Sequence, residues 1–529
     1  MLFTPRSRRG MVTAPHHLAS QAGLSVLRDG GNAVEAVVAM AATLPVVYPH
    51  MTGLGGDGFW LIAEPGRAPV AIDACGAAGR NVDVALYHKA GLDAVPWRGG
   101  LAANTVAGTV SGWQAALAEA SPWGKPLPLA RLLEEAIFHA ETGMAVTQSQ
   151  HELTMAKRDE LATVPGFADH FLRDGAAPAE GAVLRLPELA RTLRRLVGDG
   201  LDGFYRGALA ADIAADLAEV GSPLVAADLA AHQAQRRQAL SVRLSCGQLY
   251  NFPPPTQGLA SLMILALFDR LGVGEAEGFA HIHGLVEATK QAFLVRDRVV
   301  GDPAYMPEPV ESWLDPVRLD QLAARIDPAV AAPWPAPPSG GDTTWMGAID
   351  GEGRAVSFIQ SIYFEFGSGV VLPRTGLIWQ NRGASFRLAE NGWNALKPGR
   401  KPFHTLNPAM AHLDDGRTMV YGTMGGEGQP QTQSALFSRH VLFGQPLQQA
   451  VSAPRWLLGR TWGENSVSLK LENRFAPELV DALRAAGHAV ELYPAFSSTM
   501  GHAGAIVRQA DGWLEGATDP RSDGAVAGF

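Results

Sequence analysis

A chain of 529 residues, 47% of them hydrophobic, is long enough to bury a large core and is neither disordered nor fibrous. Its formal net charge of -9 and pI near 5.9 argue against a nucleic-acid surface, because phosphate binding relies on clustered Lys and Arg. Only Cys75 and Cys246 are present, which excludes a disulfide framework and any Cys-x-x-Cys zinc or redox centre; both read as small buried hydrophobes.

The N-terminus, MLFTPRSRRGMVTAPHH, has a basic cluster with no apolar h-region after it, so it does not read as a secretory signal. The apolar run from Ala33 to Val47 is interrupted by Glu35 and Pro45 and falls short of the about 20 residues that span a bilayer. The expectation is a soluble, cytoplasmic protein. Residues 18–44 read as two helices, parted at Gly30, Gly31 and Asn32, residue types that tolerate the left-handed conformation ending a helix.

Next comes TGLGGDGFWLI, in which Gly53, Gly55 and Gly58 formally match a dinucleotide fingerprint. That fingerprint needs a strand before it and a helix after it, whereas here a helix precedes and a strand follows. A close-packed glycine turn is the better reading. Helical patterns follow over 129–142, 186–197, 208–220 and 280–299, and NFPPPTQG at 251–258 forms a rigid turn before a helix over 259–271. His16 with His17, His281 with His283, and Glu135 with His139 invite a metal reading, but none brings the second ligand pair of a defined zinc motif. They read as helix caps and polar faces.

The texture then changes. A breaker-rich stretch over 328–342 suits only an exposed, irregular connection, and it gives way to TTWMGAIDGEGRAVSF from Thr343 and Thr344. That segment reads as a strand, a turn over 350–353 and a second strand over 356–363, with further strands over 369–372, 376–379, 409–413, 418–421 and 467–471. Helices and strands feeding one core predict stacked layers with helices outside sheets.

A hydroxyl residue at the mouth of a sheet, directly after such a connection, is where a self-cutting chain places its new N-terminus. Thr343 then becomes a nucleophile carrying its own base. Ser361 closes the second strand and returns toward Thr343. Gly425 and Gly426 end another strand, where backbone N–H groups can converge on an oxyanion. WQNRGASF at 379–386 brings Asn381, Arg382 and Ser385 to the same rim, and an Arg there suits a carboxylate. No G-x-S-x-G nucleophile elbow is present.

These segments, with LRDGGNAVEA at 27–36, TGLGGDGF at 52–59, FYRGALA at 204–210, PPPTQG at 253–258, EATKQAF at 287–293, GDP at 301–303 and FGSG at 366–369, resemble the γ-glutamyltranspeptidase family of N-terminal nucleophile hydrolases. The resemblance implies an α+β fold, a four-layer αββα sandwich, made as a precursor. Its cut falls between Asp342 and Thr343, leaving a large subunit of 1–342 and a small subunit of 343–529 within one αββα unit. A dimer of such heterodimers is a further expectation.

Departures from the family pattern bear on the substrate. Trp345 stands where the family has His, Ser361 where it has Thr, and Tyr363 where it has Asn. The Arg that grips the α-carboxylate of a γ-glutamyl group falls on Cys75, the Asp that pairs with its α-ammonium falls on Ser385, and the paired serines fall on His404 and Thr405. Neutral Ser385 cannot balance an ammonium, while Arg382 adds a cation where the transpeptidases carry neutral Gln. The expected substrate is therefore an acid amide lacking an amino group.

The segments 364–386, 400–408 and 421–433 are most similar to the oxamate amidohydrolase branch, which implies oxamate as substrate and a place in purine or ureide breakdown. By the same resemblance, Thr343 attacks the amide, Gly425 and Gly426 hold the oxyanion, Thr344 and Ser361 orient the nucleophile, and Arg382 with His404 holds the carboxylate. No metal or organic cofactor is required. A γ-glutamyl hydrolase or transferase and an unprocessed binding protein stay open as alternatives.

Overall fold

The computed structural model describes residues 3–334, 342–459 and 466–529. Two seven-stranded sheets form the centre, and every pairing within them is antiparallel. One runs in the order Ala525–Gly528, Gly10–Ala14, Asp342–Asp350, Ala355–Tyr363, Asp57–Ala63, Val70–Ala74, Gln235–Gln238. The other runs Arg6–Ser7, Leu514–Thr518, Ala503–Arg508, Thr418–Thr423, Ala409–Leu413, Gly247–Asn251, Leu240–Leu244.

Strand alternation sorts the side chains into three buried layers. On the Ala355–Tyr363 strand, Val356 and Phe358 join the core under the helices His17–Arg28 and Ala33–Val47, while Ala355 and Ile359 join the core between the sheets. On the second sheet, Met410 and Val420 face that shared interior, whereas Ala411 and Met419 pack beneath the helices Gly258–Arg270 and Phe279–Val299. The result is helix, sheet, sheet, helix: the αββα sandwich.

Trp345 lies between the sheets with its indole N–H donated to Ser357 Oγ at 3.0 Å. The opposite strands make room by lacking side chains. A Cβ on Gly422 would stand 2.2 Å from the Trp345 ring, and one on Gly504 would stand 2.5 Å from it. The residue that departs from the family pattern is thus a core anchor joining the two sheets.

The paired helices after residue 16 form as expected. His16 accepts from the Leu18 N–H, and Asn32 with Glu35 makes a capping box at the second start. Three expectations need correction. The helix over 129–142 breaks into Leu129–Leu132 and Glu134–Thr142 at Leu133, whose φ of -97° and ψ of 0° loosen the turn at the edge of the helical region. The segments 369–372 and 376–379 form no strands but a loop with two isolated bridges, Val371 to Ile378 and Trp379 to Gly55, because Gly367, Gly369 and Gly376 turn the backbone at φ +56°, +74° and +67°. The strand expected over 467–471 sits at Leu469–Glu472. Of the connection over 328–342, residues 335–341 lie outside the described residues. Among the described residues no helix is long and apolar enough to cross a membrane.

Candidate active site

The site begins as a row across one end of the first sheet. Asp342 pairs with Tyr363 and Thr344 with Gln360, so Ser361 and Ile362 both stand opposite Thr343 at a bulge. Ser361 in turn pairs with Asp57 on the next strand. Thr343 shares strand parity with Trp345, Ser361 with Ile359, and Asp57 with Phe59, all inter-sheet residues. Cys75, just past Val70–Ala74, belongs to the same interior. The fold therefore lines up a hydroxyl, a hydroxyl, a carboxylate and a thiol, all on buried residues.

The tight glycine turn before Asp57 makes this row possible. A Cβ on Gly55 would stand 2.2 Å from the Ile378 carbonyl oxygen, and one on Gly56 would stand 2.1 Å from that of Ser361. Only glycine lets the turn pass so close to the strand end.

Above the row, the short 3-10 turn Arg382–Ser385 delivers Arg382 into the interior. Its guanidinium donates to Thr405 Oγ1 at 3.2 Å and to Ser361 Oγ at 3.4 Å, and stacks 3.9 Å over the Tyr363 ring. Arg382 is fully buried, its Nε has no hydrogen-bond partner, and among the described residues no carboxylate forms an ion pair with it. Burial pulls its pKa down to about 10, against the pull of Tyr363, Asp57 and Cys75, so the group stays charged at neutral pH.

Asp57 was not singled out in the sequence as a site residue, although it is the lone acid of the glycine turn. Its Oδ1 accepts from the Gly76 N–H at 3.0 Å, the Gly108 N–H at 3.2 Å and the Gln380 side chain at 3.2 Å. Burial raises its pKa to about 7 despite those donors and the Arg382 charge. Oδ2 lies 3.2 Å from His404 Nε2. His404 Nδ1 accepts from the Leu406 N–H at 3.4 Å, which leaves the proton on Nε2 to be donated to Asp57. Burial, with Arg382 and Lys401 nearby, holds His404 well below its usual pKa, so the ring is neutral.

The donor atoms of Asp57, Cys75 and His404 lie within 4.8 Å of one another. Their chemistry does not fit a metal. Nε2 carries a proton rather than a free lone pair, Oδ1 is saturated, Arg382 adds a cation, and burial pushes the Cys75 thiol up so that it stays protonated. The helix histidines behave likewise. His283 bonds His488 and the Asp327 carbonyl, and the neighbouring Glu287 holds Lys290 at 2.6 Å.

The candidate oxyanion turn follows the Thr418–Thr423 strand. Gly425 and Gly426 adopt φ +117° and +51°, and the Gly428 N–H donates to the Gly425 carbonyl at 2.8 Å. Gln257 braces the turn from behind. Its side-chain amide donates to the Gly426 carbonyl at 2.8 Å and to the Thr405 carbonyl at 2.7 Å. Arg296 donates to Gln257 Oε1 and to Glu427 Oε2, both at 2.9 Å. Because a peptide unit is planar and trans, the bond from Gly428 to the Gly425 carbonyl aims the Gly426 N–H, while the bond from Gln257 to the Gly426 carbonyl aims the Glu427 N–H and holds the turn's far side. Gln257 sits inside the PPPTQG motif, where the prolines drew attention rather than the amide.

The remaining expected residues divide. Thr405 touches Arg382 directly, whereas Ser385 donates to the Phe403 carbonyl at 3.3 Å and braces the His404 loop. Thr344 donates to the Gln360 carbonyl at 3.0 Å, on the strand parity of the helix-facing residues Met346 and Ala348. Chemically, the arrangement joins a buried hydroxyl at a strand end, a glycine turn with backbone N–H groups and a buried cation, a set able to supply a nucleophile, an oxyanion site and an acid-binding group.

Comparison with known proteins agrees with this arrangement. The family described as Gamma-glutamyltranspeptidase matches residues 19–529. The chain is 56% identical over 524 residues to the Oxamate amidohydrolase proenzyme of Klebsiella pneumoniae, covering 99% of each. It is 43% identical over 522 residues to the Glutathione hydrolase-like YwrD proenzyme of Bacillus subtilis, covering 98% of each. In three dimensions it is similar to the cephalosporin acylase from Bacillus halodurans, with a TM-score of 0.92 at 32% identity over 100% of this chain and 97% of that one. The chain belongs to the γ-glutamyltranspeptidase family.

Proposed function

We propose that this chain is a self-processing amidohydrolase for small acid amides without an amino group, with oxamate as substrate and oxalate and ammonia as products. The observation that carries this reading is Arg382: a buried guanidinium with no carboxylate ion-pair partner among the described residues and an unpartnered Nε. A buried guanidinium with no direct ion pair and an unmade hydrogen bond is costly, and a substrate carboxylate satisfies it through two-point hydrogen bonding. The 56% identical Oxamate amidohydrolase proenzyme supports the same substrate class.

In the precursor the Thr343 hydroxyl attacks the Asp342 carbonyl, and water hydrolyses the resulting ester. This leaves 1–342 as a large subunit and 343–529 as a small one. The freed Thr343 amine, with an N-terminal pKa of about 7.7–8.0, takes the hydroxyl proton as the oxygen attacks the substrate amide. N–H groups of the Gly425–Gly426 turn hold the oxyanion, ammonia leaves with a proton, and water then hydrolyses the acyl ester. Arg382 with Thr405 holds the carboxylate, Ser361 lies between Arg382 and the nucleophile, and His404 closes the pocket beside Asp57.

A second reading has one observation in its favour. Asp57 provides an anion that an α-ammonium would seek, as in glutathione-like donors. Against it, Oδ1 already accepts from three donors and Oδ2 from His404. The deciding experiment is ammonia release across oxamate, oxalurate, small dicarboxylic monoamides, glutamine and glutathione, with glutamate release measured for the last. Oxamate turned over faster than the amino-acid substrates supports the proposal; glutathione or glutamine ahead of oxamate overturns it.

A further inference from the structure

Asp57 is a buried carboxylate in the pocket that the proposed chemistry leaves without a task. It stands opposite Ser361 in the sheet, shares a hydrogen bond with His404 and feels the charge of Arg382. The groups facing it are Cys75 past the neighbouring strand, Arg382 and His404 from the loops, and Tyr205 from the helical side. Lys401, further out, is paired with Asp73 at 2.8 Å. The pocket's charges can therefore be counted. Cys75, Tyr205 and His404 are neutral, Arg382 is positive, and ionised Asp57 is negative.

With the Thr343 amine in the unprotonated form that acts as base, the empty pocket is neutral overall. A bound carboxylate would make it net negative inside a region where all of these groups are buried, and an uncompensated buried charge is expensive. A proton taken from solvent removes that cost.

We propose that Asp57 balances the charge of the acyl pocket: when a substrate carboxylate settles on Arg382, the Asp57–His404 pair takes up one proton, and its neutral form is the one that binds the acid. This rests on the acid-amide reading of the site. The proton balance is simple. One proton arrives at His404 Nδ1 while the Nε2 proton passes to Asp57 Oδ2, leaving a neutral imidazole and a neutral carboxylic acid. The Leu406 N–H gives up only a long contact of 3.4 Å to Nδ1. Burial already raises Asp57 to about 7, so the proton is available near neutral pH. Asp57 is a positioning residue in this scheme, because it acts through His404 and Arg382 rather than on the reacting atoms.

The test is calorimetric binding of pyruvate, an acid that matches oxamate with a methyl in place of the amide nitrogen, to the processed enzyme at pH 7.5. Titrations in phosphate and in Tris differ in heat by the buffer ionisation enthalpy multiplied by the protons taken up. Between about half and one proton per site is expected. Above neutrality, pyruvate affinity should fall tenfold per pH unit. In Asp57→Asn, whose amide N–H stands in for the protonated acid toward His404, uptake should vanish and affinity should become flat with pH. Pyruvate bound by the wild-type enzyme with no proton uptake sinks the role of Asp57, as does undiminished uptake in Asp57→Asn. Where the variant fails to fold, the wild-type protein still decides, because no uptake overturns the proposal. The pH dependence of its affinity should break near 7, the Asp57 value, whereas a break only at about 7.7–8.0 assigns the proton to the Thr343 amine and overturns the proposal too. Alanine, the zwitterion on the same carbon skeleton, separates the two readings: alanine bound more tightly than pyruvate overturns the acid-amide reading and this proposal together.

Discussion

The guanidinium of Arg382 rests 3.9 Å over the ring of Tyr363, and Tyr363 holds that position with a backbone φ of +84°. A bulky L-residue avoids this region, so the surrounding structure has to impose it. The Tyr363 N–H donates to Ser361 Oγ at 2.7 Å, which ties the strained residue to the hydroxyl that also meets Arg382. Strain, stacking and hydrogen bonding converge opposite the start of the Asp342–Asp350 strand.

Tyr363→Ala and Tyr363→Gly separate strain from stacking. Both remove the ring, so KM for oxamate should rise by about 3- to 30-fold in each, the range of a buried cation–π contact. Glycine accepts φ +84° without a Cβ penalty, so it should fold more stably than alanine by about 1 kcal/mol. Thermal melts alongside steady-state kinetics check this, and a KM unchanged in both variants contradicts the stacking role.

Arg382→Gln should lower kcat/KM for oxamate by about 100- to 1000-fold, as expected for losing one partner of a buried charge pair. Arg382→Lys keeps the charge but not the planar fork and should recover only part of that loss. A loss of less than threefold in Arg382→Gln would show that the carboxylate binds elsewhere.

Thr343→Ala should leave one full-length band of 56.0 kDa on a denaturing gel, where the wild-type protein gives two. Gly56→Ala should impair the same cut, since its Cβ would stand 2.1 Å from the Ser361 carbonyl and push that strand end away from Thr343. Overpacking of this kind costs about 1–3 kcal/mol. Time courses of band appearance measure both effects, and normal processing in Thr343→Ala is the adverse result.

Gln257→Leu removes the amide that bonds the Gly426 and Thr405 carbonyls. Each buried carbonyl left unpaired costs about 1–3 kcal/mol. Once the turn relaxes, kcat should fall by about 10- to 100-fold with KM little changed, because an oxyanion interaction is made in the transition state. Equal losses in binding and turnover would assign Gln257 to the substrate pocket instead.

Acid should destabilise the protein between pH 6.5 and 4. Burial lowers His16 and His281 to about 3 and His502 to about 4, from 6.5. These rings are unprotonated when folded but take up protons when unfolded, so their stabilisation is full above pH 6.5 and is lost as pH falls. Asp57 acts oppositely, because its raised pKa makes its contribution fall as pH rises from 3.8 to about 7. His232 and His488, also lowered to about 3, and the buried His50 and His404 act the same way as the first three. Together these histidines outnumber the carboxylates that burial raises, Asp57, Asp216, Asp350 and Glu365, so stability falls on balance as pH falls. Scanning calorimetry should show a lower melting temperature at pH 5.0 than at pH 6.5; an unchanged value would mean that protonation is accommodated in the fold.

The hairpin that starts at Thr343, the glycine turn and most helices were legible locally. Alternating Val356 and Phe358 against Ala355 and Ile359 states which faces are buried, and Asn32 with Glu35 announces a helix start. The broken helix at Leu133 and the loop over 369–379 were not, because apolar pattern and strand propensity are similar in both outcomes until packing and the glycine dihedrals decide.

Chain order and residue type determined the fold class and the hydroxyl at the strand start. These depend on near neighbours and on recognisable spacing. Only the tertiary structure decided that Asp57 stands opposite Ser361, that Arg382 is buried with no carboxylate ion-pair partner among the described residues, and that Gln257 bridges the Gly426 turn and the Thr405 loop. These contacts join residues separated by as many as 347 positions, as for Asp57 and His404. The energy of a buried charge depends on what surrounds it in space, and the neighbours that set it arrive from different layers.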